Sequence, residues 1–168
     1  MTEIRGTKKL DKMINNYVKK FGCTAELGSE FCYWHDDETV DYSFIIPVPS
    51  DEVWKEYVKK EFNFNLTNIF MFSLLHEIGH HYTMDFFTQT QQDKNDKMVD
   101  KIEKVLSESD DEKLDKAMYL KYFDLPMERI ATKWAVNYYR KHRFSINRFY
   151  KKLNKELKKF YKINGLLD

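Results

Sequence analysis

The sequence predicts an α+β fold that is mostly helical, with a small β-sheet or hairpin followed by a buried helix and a helical C-terminal part. Two observations carry this prediction. The segments that read as strands lie within residues 24–46, whereas hydrophobic residues recur at helical spacing before and after them. The chain has no internal repeat and no linker rich in Pro, Gly or Ser, so we expect one domain over residues 1–168.

The composition indicates an ordered protein that acts inside the cell. A hydrophobic content of 42% argues against disorder, and a net charge of +1 excludes a polyelectrolyte role for the whole chain. The N-terminus lacks the apolar run of a signal peptide, and no apolar stretch is long enough to span a bilayer, so we expect a cytoplasmic protein without membrane contact. The two cysteines, Cys23 and Cys32, suit free thiols packed in the interior better than a disulfide or metal ligands.

The N-terminal part is predicted to contain a helix and a β-hairpin. Residues 7–21 place hydrophobic side chains at helical spacing and Gly22 stops the helix, so 1–22 form an N-terminal helical segment. Residues 24–34 and 39–46 read as two strands. The polar turn between them makes a hairpin the expected connection.

Helical patterns continue to the C-terminus. A short helix over 51–61 precedes an apolar helix within 66–87, which is hydrophobic almost all round and is therefore expected in the centre of the domain. Residues 89–120 form a charged insertion that contains one amphipathic helix. Two more helices follow, over 126–142 and, as a basic amphipathic helix, over 145–163. The polar residues that are expected to cap these helices are Asn65 or Thr67, Asp124 and Ser145.

Residues 76–80 read HEIGH, which is the HExxH pattern. On a helix His76 and His80 lie on one face, so both imidazoles can bind one metal ion. Glu77 lies beside them and can act as a general base toward a water whose pKa Zn²⁺ has lowered. The plain alternative is a core helix that carries histidines, but buried imidazoles need hydrogen-bond partners. His81 points about 100° away on the helix and is not expected to join the same ion.

A catalytic zinc ion usually has three protein ligands, so a third ligand is expected outside the motif. The extended HExxHxxGxxH pattern is excluded because Thr83 and Phe86 occupy its last two fixed positions. Glu128 is the best candidate, since it lies in the first turn of its helix, where the macrodipole favours a carboxylate. His142 is a further possibility. One face of the helix then carries Glu128, Ala131, Ala135, Tyr139 and His142, and its alanines allow close approach to the HExxH helix.

HEIGHH followed by LPMERIATKWA resembles the gluzincin zinc metallopeptidases, and in particular the ImmA/IrrE-like minimal gluzincins of bacteria, phages and mobile elements. Their pattern is HE(I/L)GH and then Glu-x-x-Ala-x-x-aromatic-Ala, which residues 128–135 match. The resemblance implies a zincin-like fold, with a small sheet ahead of the active-site helix. It implies that His76, His80 and Glu128 bind Zn²⁺ and that Glu77 is the general base. It also implies regulated proteolysis of repressors and other regulatory proteins.

The expected function is that of a zinc-dependent metalloendopeptidase cleaving a regulatory or partner protein. The strand Thr39–Ile46 is expected at the sheet edge, where an extended peptide can pair with it. The tetrahedral intermediate needs an oxyanion-stabilising donor. Tyr139 and His142, with Tyr138, are the candidates, because they share the helix face of Glu128. Core packing is the alternative for the tyrosines.

The segment 140–162 carries ten Lys or Arg residues and one acid. Its hydrophobic residues fall at helical spacing, so the basic side chains form either a solvated helix face or a surface for a nucleic acid or acidic partner.

Two other functions are alternatives to the metalloendopeptidase. The chain could be a zincin-scaffold binding protein of a phage or mobile element that sequesters a host factor. It could also be a SprT-like protease that acts on DNA-bound proteins.

Overall fold

The computed structural model describes residues 8–28, 32–34, 36–43 and 50–164. Within these residues the fold is α+β and mostly helical, as predicted, with one three-stranded sheet near the N-terminus and six α-helices. Their bounds are α1 Lys8–Val18, β1 Thr24–Leu27, β2 Cys32–Trp34, β3 Thr39–Tyr42, α2 Ser50–Phe62, α3 Ile69–Thr83, α4 Gln89–Glu108, α5 Glu112–Phe123 and α6 Pro126–Ile163.

Helix α1 forms where the hydrophobic spacing predicts it. Its apolar face is buried through Leu10, Ile14, Tyr17 and Val18. The chain then makes a short 3₁₀ turn and ends the helical segment at Gly22, whose φ of 87° suits glycine. The predicted N-terminal helix and its stop at Gly22 are therefore confirmed from Lys8 onward, while residues 1–7 lie outside the described residues.

The sheet differs from the predicted hairpin in two ways. Strands β2 and β3 do form an antiparallel hairpin, but β1 is a separate strand that pairs with β3 in parallel, giving the order β1-β3-β2. Segment 24–34 is thus two strands rather than one. The expectation that the strand beginning at Thr39 forms the sheet edge is wrong, because β3 is central. All four β3 residues are buried or half-buried, as pairing on both sides requires. The remainder of that predicted strand, 44–46, lies outside the described residues.

Helix α3 is the centre of the domain, as its apolar sequence predicts. It is buried along nearly its whole length. Its N-cap is Asn68, whose side chain accepts a hydrogen bond from the Met71 backbone N–H at 3.1 Å, rather than Asn65 or Thr67. The helix ends at Thr83, after which residues 84–86 form a 3₁₀ turn.

The predicted charged insertion is a pair of helices, α4 and α5, which we call the α4–α5 hairpin (residues 89–123). Few side chains of α4 are buried, which agrees with the prediction of a solvated segment. The last residue of α5, Phe123, is buried and stacks on Trp54 of α2 with ring centroids 5.8 Å apart. The hairpin therefore returns the chain to the interior immediately before α6.

Helix α6 merges the two helices predicted after Asp124. Leu125 is the N-cap of α6, whereas Asp124 is the C-cap of α5. The prediction that Asp124 caps the start of α6 is therefore wrong. The backbone departs from helical geometry at His142 (φ −117°, ψ 18°), which is where the first helix was expected to end. Ser145 is not a cap either, since its hydroxyl donates to the His142 carbonyl from within α6.

The C-terminal half of α6 buries one face and exposes its basic side chains. The buried residues are Ile146, Leu153, Leu157 and Phe160. This arrangement supports the solvated-face interpretation of the basic segment, while binding of a nucleic acid or acidic partner stays a prediction. α6 has 38 residues, yet neither it nor another helix in the described ranges is both long and apolar enough to cross a bilayer.

Candidate metal centre

Two histidines of α3 and one glutamate of α6 meet in the interior. Nε2 of His76 lies 3.0 Å from Oε2 of Glu128 and 3.2 Å from Nε2 of His80, and the His80 and Glu128 atoms are 3.4 Å apart. Ligand atoms of a tetrahedral zinc site, at metal distances of about 2.0–2.2 Å, lie roughly 3.3 Å from one another. The three atoms thus match one face of such a tetrahedron. Their donor set, two imidazoles and a carboxylate, suits a divalent metal ion.

Close packing of α3 on α6 brings these residues together. A Cβ built on Gly79 would lie 2.6 Å from the Ala131 carbonyl oxygen, so only glycine fits there. Ala131 and Ala135 of α6 are both completely buried. The predicted close approach through the alanine face is therefore confirmed, and it requires Gly79 on the other helix.

Opposite charges hold the side chains of His80 and Glu128 together. Burial by itself opposes the charged imidazole of His80, but the Glu128 carboxylate, its hydrogen bond and the charge of Glu77 raise the pKa of His80 to about 9. Burial likewise opposes ionisation of Glu128, yet the charge of His80 and the hydrogen bonds of both histidines hold the pKa of Glu128 well below its usual range. Glu128 is consequently ionised at neutral pH, as a metal ligand must be.

Glu77 lies beside the group. It is 8% exposed, and its charge helps to raise the pKa of both His80 and Tyr122. A buried carboxylate next to a metal-binding group is suited to accept a proton from water there. The structure thus places a buried carboxylate next to the candidate metal ligand His76.

Three side chains that were not predicted from the sequence lie beside the His76–His80–Glu128 group. Thr132 Oγ1 lies 3.2 Å from Nδ1 of His76. The Trp54 ring packs perpendicular to the His76 ring, with centroids 5.2 Å apart. Tyr122 of the α4–α5 hairpin lies near Glu128, whose charge helps to raise the pKa of the Tyr122 phenol. Thr132 could have been found from its position one turn after Glu128, whereas Trp54 and Tyr122 lie in segments whose sequence carries no such signal.

Tyr122 gives the α4–α5 hairpin a part in the site. Burial and the negative charges of Glu128 and Glu77 raise the pKa of Tyr122 well above its usual value, so the phenol stays protonated and can donate. Its neighbour Phe123 is fixed against Trp54, which in turn contacts His76. The segment predicted as an insertion therefore forms one wall of the candidate site.

Tyr139 and His142 are not brought to the group. Helical rise places them about 16 and 21 Å along α6 from Glu128. The Tyr139 hydroxyl donates to Asn147 Oδ1, and the His142 ring stacks on that of Tyr138. A shared helix face does not by itself make them near neighbours of the metal ligands.

His81 and the cysteines lie outside the group, as predicted. His81 Nδ1 is 2.8 Å from the Tyr33 hydroxyl, which links α3 to strand β2. Cys23 and Cys32 are free thiols, and neither belongs to the metal-binding group found in the described residues. Within these residues the candidate ligands are thus His76, His80 and Glu128.

Comparison with known proteins identified no relative of this chain. No family model matches the chain, and no curated protein or solved structure is significantly similar to it. The resemblance to gluzincins accordingly depends on two short motifs. The buried His-His-Glu group is consistent with that resemblance.

Proposed function

We propose that the protein is a zinc metallopeptidase of the gluzincin type that cleaves a regulatory or partner protein. One observation carries the proposal: three ligand atoms on two helices are spaced as in a tetrahedral zinc site, with Glu77 beside them. A core that merely tolerated histidines would have no need of this spacing or of an additional buried acid. The two motifs that resemble gluzincins contain the same four residues.

Each of these residues has a separate role in the proposed reaction. His76, His80 and Glu128 hold the ion, which when bound polarises a substrate carbonyl and lowers the pKa of a water molecule. Glu77 accepts the proton of the attacking water and later donates it to the leaving amine. Trp54 and α3 make the surroundings apolar, so the charges of the site act with little screening.

Two donors near the metal-binding group are suited to stabilise the oxyanion. The Tyr122 hydroxyl stays protonated and lies near Glu128. The buried Trp54 indole N–H has no hydrogen-bond partner among the described residues, although its ring contacts His76. A buried donor without a partner costs about 1–3 kcal/mol, which a substrate oxygen would recover. We therefore assign this role to Trp54 and Tyr122 in preference to Tyr139 and His142.

An extended peptide would bind along an outer strand of the sheet. β3 is central, which leaves β1 and β2 as outer strands within the described residues. β2 is linked to α3 by the Tyr33–His81 hydrogen bond, so it is the outer strand tied to the HExxH helix. Strand addition there would supply backbone hydrogen bonds with little side-chain selectivity.

The test measures metal content and activity separately. Purified wild-type protein is expected to contain about one zinc ion per chain, and Glu128→Ala to contain almost none. Glu77→Gln is expected to keep the zinc and lose proteolytic turnover by a factor of at least about 10². Glu112→Gln, an exposed substitution on α5, is the matched control. A wild-type protein without zinc would contradict the proposal.

The second candidate function is a binding protein in which the metal is structural. The observation that favours it is burial, since all three ligands and Glu77 are between 6 and 9% exposed. Glu77→Gln separates the two functions. A binding protein would keep its biological effect after this change, whereas a peptidase would lose it.

A further inference from the structure

We propose that the solvent-facing side of α6 binds single-stranded nucleic acid. We call this side the basic face and define it by six exposed side chains: Lys133, Lys141, Phe144, Arg148, Lys151 and Lys155. Successive members are three, four or eight residues apart in the sequence, so they follow one side of the helix over about 33 Å. None of them belongs to the metal-binding group, so the proposal stands apart from the proposed peptidase activity.

The positive charge of the basic face is not balanced within its own helix. Residues 129–162 contain twelve Lys or Arg residues and one acid, Glu156, although the net charge of the whole chain is only +1. Glu156 is engaged by Lys9 and Lys159, at 2.9 and 3.1 Å. Among the ion pairs of the described residues, none includes a cation of the basic face. A polyanion is therefore the complementary partner in charge.

Solvation alone does not account for a face of one sign. Helix α4 is also largely exposed, yet its four lysines alternate with five acids, so mixed charges are sufficient to keep a helix of this chain in water. Like charges three or four residues apart, such as those of Arg148, Lys151 and Lys155, repel each other and destabilise a helix. A row of phosphates along the basic face would remove this repulsion and release counterions.

Phe144 favours a single strand over a duplex. Its side chain is 89% exposed, the highest value among the large hydrophobic side chains of the described residues. It lies in the middle of the basic face, three residues after Lys141 and four before Arg148. An exposed ring between cations can stack on a base while its neighbours contact phosphates. The bases of a duplex are already stacked on each other, so only an unpaired strand offers this contact.

Two other anionic partners fit these observations less well. A helix that lies on a lipid surface inserts an apolar face, but the apolar side of α6 is packed in the interior through Ile146, Leu153 and Leu157. An acidic polypeptide would neutralise the cations, but its carboxylates offer no planar surface to Phe144. A single-stranded nucleic acid supplies both phosphates and planar bases along its length.

The first experiment measures binding of the full chain to a fluorescein-labelled oligothymidylate of about 16 nucleotides by fluorescence anisotropy. At low salt we expect a dissociation constant of about 10⁻⁶–10⁻⁴ M. Phe144→Ala is expected to weaken binding roughly tenfold, because it removes the stacking platform. Phe86→Ala is the matched control, since Phe86 is also exposed (68%) but follows Asp85 in the turn after α3. It should bind as the wild type does.

The second experiment measures how binding depends on salt. Lys141→Gln combined with Arg148→Gln removes two cations of the basic face. We expect the slope of log K against log salt to become shallower by about 0.7 for each lost phosphate contact. Lys97→Gln combined with Lys101→Gln, on the exposed side of α4, changes the net charge equally and is expected to leave the slope unchanged.

The possible outcomes decide between the partners. Weakened binding in Phe144→Ala and a shallower slope in the α6 double variant, with wild-type behaviour in both controls, support the proposal. Absence of oligonucleotide binding at low salt overturns it, as does equal binding by Phe144→Ala and wild type. A blunt duplex that binds more tightly than the single strand, or polyglutamate that displaces the strand at equal charge concentration, also overturns it. Zinc content and proteolysis do not enter these measurements, so failure here leaves the proposed peptidase activity untouched.

Discussion

Glu128 illustrates how the chemistry of a residue depends on its neighbours. Burial alone would favour a neutral carboxyl group, yet the two histidines keep it ionised. The protonated phenol of Tyr122 lies near the same carboxylate. A ligand with such a partner is restrained in orientation and is ready for a metal ion without rearrangement.

Tyr122→Phe tests this restraint. The change removes only the hydroxyl, the one donor that Tyr122 can offer to the nearby Glu128 carboxylate, so we expect zinc affinity to fall by roughly tenfold. Chelator competition measures the effect. Tyr119→Phe on the same helix is the control, because Tyr119 packs against Phe123 and has no bond to a ligand. Equal affinities in the two variants would show that the Tyr122 hydroxyl does not support the site.

At the scale of elements, the contact between α3 and α6 determines the ligand distances. The two helices meet at Gly79 and the Ala131 backbone, and the ligands lie on both sides of this contact. The spacing of a metal site tolerates errors of only about 0.2 Å, so helix packing and metal affinity are coupled.

Gly79→Ala is expected to separate the helices. Its Cβ would meet the Ala131 carbonyl oxygen at 2.6 Å, and overpacking of this kind costs about 1–3 kcal/mol. Urea denaturation of the metal-free protein measures that loss, and zinc competition measures the accompanying fall in affinity.

The control for this variant is Ser73→Ala, a buried substitution two turns earlier in α3 that adds no atoms. It should change zinc affinity little. Full stability and affinity in Gly79→Ala would contradict the close contact of the two helices.

For the whole molecule, metal binding and folding are linked, because the ligands come from helices that approach each other only in the folded chain. Free zinc at 100 times its dissociation constant would stabilise the fold by about 2.7 kcal/mol. The expected rise in melting temperature is roughly 5–10 °C for a chain of this size.

Glu128→Gln should show no comparable rise with zinc, since the amide is a poor zinc ligand. Thermal melts followed by circular dichroism, with and without added zinc, provide the comparison. An equal rise in wild type and variant would place the zinc elsewhere on the protein.

Local order was largely predictable from the sequence. Periodicity located α1, α2 and α3, and the i, i+4 spacing of His76 and His80 predicted their meeting, because both depend on neighbours within a turn or two. Glu128 was found by its place in the first turn of a helix. The parallel β1–β3 pair was missed, since it depends on contacts that local patterns do not encode.

The sequence by itself determined which residues can bind a metal: two histidines on one helix face and a glutamate at the start of another helix. Only the tertiary structure decided which other side chains lie beside these ligands. It brought Thr132, Trp54 and Tyr122 to the group and left Tyr139 and His142 far along α6. The physical reason is distance: a helix face specifies direction, whereas proximity depends on how α2, α3, α5 and α6 pack.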